Sequence, residues 1–186
     1  MALTAATDAF RVRLDRVTDD QLVLPTPCEG WTVRDLLRHV TGGNRMTVAL
    51  VEGCSVEEAR SFFARSAEPD DLRGACAVSL DAQMKALGPG LDTTMVVHHP
   101  MGDMPAAQVF GFRIGDLLVH SWDLSRAVGG DERLPEDVVA HVYAELQPME
   151  PIIADIGVFG SGPSGGVGED SDIQTRLLDL TGRRPS

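Results

Sequence analysis

Apolar residues recur every three or four positions along most of the chain, and glycine and proline separate these periodic stretches. Residues 3–18 have this spacing with charged residues between, which predicts an amphipathic first helix. A connection broken by proline and glycine, DDQLVLPTPCEGW, leads to a second helix, WTVRDLLRHVTGGNRMTVALVEG. Thr32 is a suitable N-cap for it, and Asp35 stands three residues later, where its charge complements the helix dipole. The apolar stripe of this helix consists of Val33, Leu36, Leu37 and Val40.

Two adjacent glycines, Gly42 and Gly43, stand in the middle of the second helix. A glycine in a helix interior costs about 1 kcal/mol relative to alanine. Because glycine has no side chain, we expect another helix or a ligand to come close at this point.

The middle of the chain continues the helical pattern and then leaves it. Ser55 and Glu58 have the spacing of a capping box and open a third helical segment. Pro69 interrupts this segment, and DDLRGACAVSLDAQMKAL continues as helix to about Leu87. Residues 93–105, TTMVVHHPMGDMP, combine β-branched residues with a Gly-Asp turn, which predicts a short extended or hairpin-like excursion.

The last third of the chain contains the longest helical stretch. It runs from Pro105, a residue suited to a first helical turn, to about Val128, and Gly129 and Gly130 terminate it. LPEDVVAHVYAELQPM predicts another helix, SGPSGGVGEDSD at residues 161–172 a flexible acidic segment, and IQTRLLDL a short final helix. This mostly helical pattern predicts an all-α fold, with an antiparallel helix bundle as the default architecture.

Length and charge narrow the function classes. A chain of 186 residues fits one domain, so we expect a single domain over residues 1–186. The formal net charge of -12 argues against nucleic acid and anionic membranes as partners, because both attract basic surfaces. No apolar run reaches the ~20 residues of a membrane span, and the N-terminus lacks the pattern of a secretory signal. Small molecules or proteins remain as partners.

The cysteines indicate the redox state of the cellular compartment, and the choice of arginine over lysine indicates the base composition of the host genome. Cys28, Cys54 and Cys76 are widely spaced and form no CxxC pair, which favours a reducing compartment, the cytoplasm, over a disulfide framework. Lys85 is the only lysine, and this arginine bias is typical of a G+C-rich genome.

One stretch of the longest helix, RIGDLLVHSWDL at residues 113–124, combines an apolar surface with four charged or titratable residues. Spacings of three, four and three place these four on one helix face. They are Arg113, Asp116, His120 and Asp123. Apolar residues cover most of the remaining circumference, which indicates a buried helix whose polar stripe faces the bundle interior. Buried charges of this kind need partners or a metal ion.

Two explanations of this stripe remain open from the residues alone. Asp116 and His120 stand four residues apart and can point at one cation, as metal ligands in helix bundles do. Alternatively, Arg113 pairs with Asp116 and His120 with Asp123, which gives two buried ion pairs that only specify packing.

A metal site needs a third ligand, and the chain has five histidines. His39 lies at the edge of the apolar stripe of the second helix, where a facing helix can bring it to the same cation. His98 and His99 are adjacent in an extended segment and point to opposite sides, so one of them can reach the site, although a solvated turn is the favoured location. His141 lies among valines and is interpreted as a packing or surface residue. Two histidines and one carboxylate leave positions open for water or substrate and suit Zn²⁺, Ni²⁺, Fe²⁺ or Mn²⁺.

Two segments, PTPCEGWTVRDLLRHVTGGN and GDLLVHSWDLSRAVGG, resemble the DinB-like superfamily, in particular its actinobacterial branch related to the metal-binding domain of mycothiol-dependent maleylpyruvate isomerase. HHPMGDMPAAQVFGFR and IADIGVFG are also typical of this branch, so the resemblance covers essentially the whole chain. It implies a four-helix bundle with a long crossover connection and a metal triad formed by His39, Asp116 and His120.

The chain departs from that isomerase in two respects. The isomerase has glutamate where this chain has Asp116, and the shorter side chain is expected to move the metal or change its coordination. The isomerase also has a C-terminal domain that contributes to its active site, whereas this chain ends soon after the bundle. The second difference argues against maleylpyruvate isomerisation itself.

The resemblance implies a metal- and thiol-dependent transferase or isomerase that uses mycothiol and a small electrophilic substrate. Zinc is the first choice for the cation. Arg113 would orient a substrate carboxylate or hold Asp116, and Asp123 would fix a ring nitrogen or bound water. We expect Trp31 and Trp122 to be core residues rather than a substrate platform. Cys28 lies beside the proline-rich connection, where a reactive thiol is an alternative, but we expect a buried structural thiol.

Two alternatives belong to other classes. One is a non-catalytic metal-binding or interaction module, including a homodimeric one. The other is an iron oxygenase, because two histidines and a carboxylate also describe that ligand set.

Overall fold

The computed structural model describes residues 1–64, 70–155, 157 and 159–185. Within these residues the chain forms seven α-helices and one antiparallel hairpin. The helices are α1 (Ala2–Leu14), α2 (Val33–Val51), α3 (Val56–Ala64), α4 (Leu72–Ala86), α5 (Ala106–Val128), α6 (Glu136–Leu146) and α7 (Ile173–Leu180). The hairpin strands are β1 (Val96–His99) and β2 (Gly102–Pro105), and Asp19–Val23 and Gln147–Ile152 are short 3₁₀ helices. The all-α prediction is confirmed.

Helices α1, α2, α4 and α5 form the predicted four-helix bundle. α1 packs against α5 and α4, and α2 packs against α4 and α5. The successive helices α1 and α2 therefore stand at opposite corners, and the connection between them crosses one end of the bundle. That crossover carries Cys28 and Trp31 towards the polar stripe of α5.

The helix starts follow the predicted capping residues. The Thr32 hydroxyl accepts the Asp35 backbone N–H at 3.3 Å, and the Asp35 carboxylate accepts the Thr32 N–H at 3.0 Å. Ser55 and Glu58 form the same reciprocal pair at the start of α3. Both motifs satisfy backbone donors that a helix start otherwise leaves unpaired.

Two predicted boundaries differ from the structure. The first helix was predicted to extend to residue 18, but α1 ends at Leu14. The apolar pattern continues beyond the helix because the following turn still buries Val17. Pro105 ends β2 and precedes α5 by one residue, since its backbone is extended. The break predicted at Pro69 lies outside the described residues, and so do Ile156 and Val158 of the IADIGVFG segment. Residues 161–172, described throughout, contain turns and bends without a helix or strand, and their flexibility stays a prediction.

The bundle core lies between the four long helices. Trp122 is 1% exposed and belongs to it, as predicted. Trp31 is only partly buried and packs against its edge, so the core prediction for this residue is correct in part.

The glycine pair of α2 serves the two close approaches expected of it. A Cβ at Gly42 would lie 3.0 Å from the Phe62 carbonyl oxygen, so α3 packs directly on the helix there. A Cβ at Gly43 would lie 3.0 Å from Arg113 Cζ and collide with its Nη1. Gly43 therefore makes room for the guanidinium of α5.

We expect Gly43→Ala to lower the free energy of unfolding by about 1–3 kcal/mol, because overpacking displaces Arg113 and outweighs the better helix propensity of alanine. Gly111→Ala on α5 is the matched control, since a Cβ there meets nothing within 4 Å. That control should raise the free energy of unfolding by up to about 1 kcal/mol. Urea denaturation measures both, and a Gly43→Ala protein as stable as Gly111→Ala would contradict the packing at Gly43.

Candidate metal centre

Three potential ligand side chains meet where α2 packs on α5. His39 projects from α2, and Asp116 and His120 project from successive turns of α5. Asp116 Oδ1 lies 2.9 Å from His39 Nε2 and 3.4 Å from His120 Nε2. The structure thus brings together the three residues that the resemblance implied as a triad.

The donor set and its spacing fit a divalent cation. Two ligand atoms that bind one tetrahedral zinc at about 2.0–2.1 Å stand about 3.3 Å apart, close to the separations found here. The His39 and Asp116 side chains are 27% and 22% exposed, whereas His120 is 8% exposed. The centre is therefore open to solvent on the side of His39 and Asp116, where a further ligand has access.

Arg113 holds the second oxygen of Asp116. Its Nη1 donates to Asp116 Oδ2 at 3.0 Å. Its Nε donates to Gln83 Oε1 at 2.8 Å and its Nη2 to Asn44 Oδ1 at 2.7 Å, both in the buried interior. Arg113 thus links α4 and α2 to Asp116. Of its two predicted roles, this geometry favours holding Asp116 over orienting a substrate.

Asp123 holds the second nitrogen of His120. The Asp123 carboxylate is fully buried, and its Oδ2 lies 2.9 Å from His120 Nδ1. An ionised carboxylate only accepts hydrogen bonds, so Nδ1 carries the proton and donates it. The unprotonated lone pair of a neutral His120 is then at Nε2, facing Asp116. Metal-binding histidines are usually oriented by such a carboxylate.

Both ion pairs of the packing alternative are therefore present, but they use different atoms from the triad. Arg113 binds Asp116 Oδ2, while Oδ1 faces the two histidines. Asp123 binds His120 Nδ1, while Nε2 faces Asp116. The two explanations are therefore compatible. The ion pairs to Arg113 and Asp123 lie on the buried side and fix the orientation of Asp116 Oδ1 and His120 Nε2, which face the centre.

The electrostatics of the centre favour positive charge between Asp116 and His120. Burial alone would raise the pKa of Asp116, but Arg113, His39 and His120 outweigh it and hold that pKa well below its usual value. Burial alone would lower the pKa of His120, but the charge of Asp116 and hydrogen bonds to Asp116, Asp123 and Cys28 raise it well above its usual value. A proton or a metal cation can supply the positive charge.

The other three histidines lie outside the centre, and of the pair expected in a solvated turn only His98 is solvated. His98 is exposed and pairs with Asp103 at 2.8 Å across the hairpin, while His99 is buried on the opposite face of the strand. Met101 N–H donates to His99 Nδ1. His141 is exposed on α6.

One family model matches a region that includes the whole polar stripe of α5. The family model described as "Mycothiol maleylpyruvate isomerase N-terminal domain" matches residues 3–125. The chain belongs to this family.

Relatives and solved structures agree with membership of the mycothiol maleylpyruvate isomerase N-terminal domain family. Proteins of two strains of Mycobacterium tuberculosis, both named "Uncharacterized protein", are 36% identical over 151 residues, which cover 80% of this chain and 78% of theirs. A crystal structure titled as the mycothiol-dependent maleylpyruvate isomerase superposes with a TM-score of 0.62 at 22% identity, covering 78% of this chain and 68% of that one. A histidine-to-alanine mutant of that enzyme gives a TM-score of 0.60 at 20% identity, covering 90% and 72%. These structures share the fold.

Sequence reasoning missed one residue outside the matched family region and misjudged another within it. Arg183 follows α7, and its Nη2 and Nε donate to Asp123 Oδ2 and Oδ1 at 2.6 and 3.1 Å. Cys28 was expected to be a buried structural thiol, but it is half-buried, and its Sγ lies 3.3 Å from Asp123 Oδ2. Cys28, His120 and Asp123 thus form a second group of potential ligand atoms, although His120 Nδ1 and Asp123 Oδ2 already bind each other.

Two aromatic rings flank His39. The Trp31 ring centroid lies 4.9 Å from that of His39 and 6.0 Å from that of His120. Phe63, on α3, has its ring centroid 5.5 Å from that of His39, and this residue is half-exposed. Trp31 is therefore part of the wall of the centre, and no pattern in the sequence indicated Phe63.

Within the part of the chain that the structure describes, none of the helices combines the length and the apolar character of a membrane span.

The pKa of Asp123 predicts an acid-dependent loss of stability. Burial would raise it, but the hydrogen bond from His120 and the charge and hydrogen bonds of Arg183 lower it to about 2. A carboxylate with a folded pKa below its unfolded value of about 3.9 stabilises the fold above that value, by about 2 kcal/mol here, and loses this contribution as the pH falls towards 2.

Urea denaturation of the metal-free protein between pH 5 and pH 2 measures this loss. Asp123→Asn should show a decline smaller by about 2 kcal/mol over that range. An equally steep decline in the variant would show that Asp123 does not carry this pH dependence.

Proposed function

We propose that the chain is a divalent-metal-binding, mycothiol-dependent transferase or isomerase that acts on a small electrophilic substrate in the cytoplasm. The observation that carries the metal part is the division of atoms in the α5 stripe. Asp116 Oδ1 and His120 Nε2 converge with His39 Nε2, while buried partners occupy Asp116 Oδ2 and His120 Nδ1.

His39, Asp116 and His120 would hold the cation, and zinc suits this set of two nitrogens and one oxygen. When bound, such a cation supplies a Lewis acid that lowers the pKa of a coordinated thiol. The shorter aspartate, in place of the glutamate of the isomerase, still brings its Oδ1 to 2.9 Å from His39 Nε2.

The protein side chains give the centre a defined shape. Arg113 fixes the orientation of Asp116 from the buried side. Trp31 and Phe63 place apolar ring surface beside the His39 imidazole. The space left for a thiol and its electrophile is on the exposed side of His39 and Asp116.

The thiol part of the proposal is supported by family membership. The superposable structures are titled mycothiol-dependent, and the family model carries the same thiol in its description. The electrophilic substrate is proposed only as a chemical class, namely a small molecule with a carbon atom that a thiolate sulfur attacks.

Substitution of the proposed ligands tests the metal part. His39→Ala, Asp116→Ala and His120→Ala should each lose bound metal, because two remaining ligands hold a cation weakly. His141→Ala, which removes an exposed histidine of α6, should keep it. Elemental analysis of the purified proteins, with circular dichroism to verify folding, gives the metal content. Full metal content in His39→Ala would contradict the proposed ligand set.

Conjugation assays test the thiol part. Zinc-loaded protein should accelerate the reaction of mycothiol with a bimane or chlorodinitrobenzene at least tenfold over the uncatalysed rate, and removal of the metal by a chelator should abolish the acceleration. The thiolate sulfur forms the new bond to carbon as the halide leaves. Full metal binding without acceleration on a broad panel of electrophiles would leave the non-catalytic metal-binding module as the function.

A further inference from the structure

The end of α7 turns one arginine into the protein interior. Gly182 adopts a left-handed conformation with φ of 79°, and a Cβ there would collide with the Phe159 carbonyl oxygen. The Gly182 N–H donates to Asp179 O at 2.9 Å, and the Arg183 N–H donates to Leu178 O at 2.8 Å. This pair of bonds is a Schellman motif, which ends the helix and directs the next residue back across it.

The side chain of Arg183 is buried against the polar stripe of α5. Its Nε and Nη2 bind the two oxygens of Asp123, Nη2 also contacts Cys28 Sγ at 3.2 Å, and Nη1 donates to Thr181 O at 2.7 Å. A forked contact with both oxygens fixes the plane of a carboxylate as well as its position.

The fully buried Asp123 requires a positive partner. A buried carboxylate without a counter-charge is very unfavourable, so its partners decide whether it keeps its place. Among the described residues, His120 and Arg183 are the nitrogen partners of this carboxylate, and the Cys28 thiol donates a weaker, uncharged hydrogen bond to its Oδ2. When a cation binds Nε2, His120 is a neutral imidazole, and Arg183 is the charged partner that continues to hold Asp123.

We propose that Arg183 is a positioning residue of the metal centre, which acts through Asp123 on the ligand His120. By fixing both oxygens of Asp123, it holds the acceptor for His120 Nδ1–H and so keeps Nε2 directed at the cation. This inference rests on the metal site proposed above. It extends the centre beyond the family region at residues 3–125 to a residue of the C-terminal turn.

The neighbouring Arg184 provides a matched control. Its guanidinium binds Asp179 at 3.3 Å, the Ser161 hydroxyl at 3.0 Å and the Gly162 carbonyl at 3.0 Å. Replacing it removes an arginine of the same turn, with similar hydrogen bonding, while leaving the partners of Asp123 intact.

The test compares zinc dissociation constants of the full chain, measured by competition with a chromophoric chelator. Arg183→Met should weaken zinc binding about tenfold, the lower end of the 10–100-fold effect typical of losing the direct hydrogen-bond partner of a metal ligand, because Arg183 acts on His120 through Asp123. Arg184→Met should stay within about threefold of the parent, and Arg183→Lys, which keeps charge but loses the fork, should fall between them. The visible spectrum of the cobalt-substituted protein should change in Arg183→Met and not in Arg184→Met.

A double-mutant cycle shows whether Arg183 acts through Asp123. In an Asp123→Asn background, Arg183→Met should cause no further loss of zinc affinity. If Arg183→Met weakened zinc binding as much in the Asp123→Asn background as in the parent, the proposal would be overturned. It would also be overturned if Arg183→Met and Arg183→Lys kept the zinc affinity of the parent and only lowered its thermal stability. If Arg183→Met does not fold, Arg183→Lys decides the question. Failure of the parent protein to bind zinc would instead refute the metal site itself, and the inference with it.

Discussion

The charged stripe on α5 is tolerated in the bundle interior because its central residues bind separate partners through separate atoms. Asp116 uses one oxygen for Arg113 and the other for the two histidines. His120 uses one nitrogen for Asp123 and the other for Asp116. If the buried partners bound all of these atoms, no ligand atom would remain for a cation. If the buried partners were absent, the charges would be unpaired and the ligand atoms would have no fixed orientation.

The surrounding fold follows from the need to bring partners to that stripe. Gly43 of α2 leaves room for the Arg113 guanidinium, and Asn44 and Gln83 receive its hydrogen bonds from α2 and α4. The crossover after α1 and the turn after α7 bring Cys28 and Arg183 to Asp123 from two other directions. The polar interior therefore connects α2, α4, α5 and the two segments that carry Cys28 and Arg183, which gives the centre a buried, hydrogen-bonded inner side and an open outer side.

Local patterns predicted the parts of this arrangement that depend on local spacing. Helical periodicity identified α2 and α5, and the four-residue interval placed Asp116 and His120 on one face, because these are properties of a single helix. The glycine pair predicted a close approach but not its partners. The position of His39 on its helix made it a candidate third ligand, and the family resemblance selected it, since its partners belong to another helix.

Contacts between distant segments explain what the sequence did not predict. Arg183 meets Asp123 across 60 residues and Cys28 meets it across 95, and neither pair has a spacing that a periodicity detects. Trp31 was expected in the core, but its position at the end of the crossover, just before α2, places it at the rim beside His39. Phe63 reaches the same rim from α3 because Gly42 allows that helix to pack close.

X-ray absorption at the zinc edge of the zinc-loaded protein identifies the atoms that bind the cation. We expect two imidazole nitrogens and a carboxylate oxygen at about 2.0–2.2 Å, with no protein sulfur among the ligands. A sulfur at about 2.3 Å that disappears in Cys28→Ser would place the cation in the group of Cys28, His120 and Asp123 instead and contradict the proposed centre.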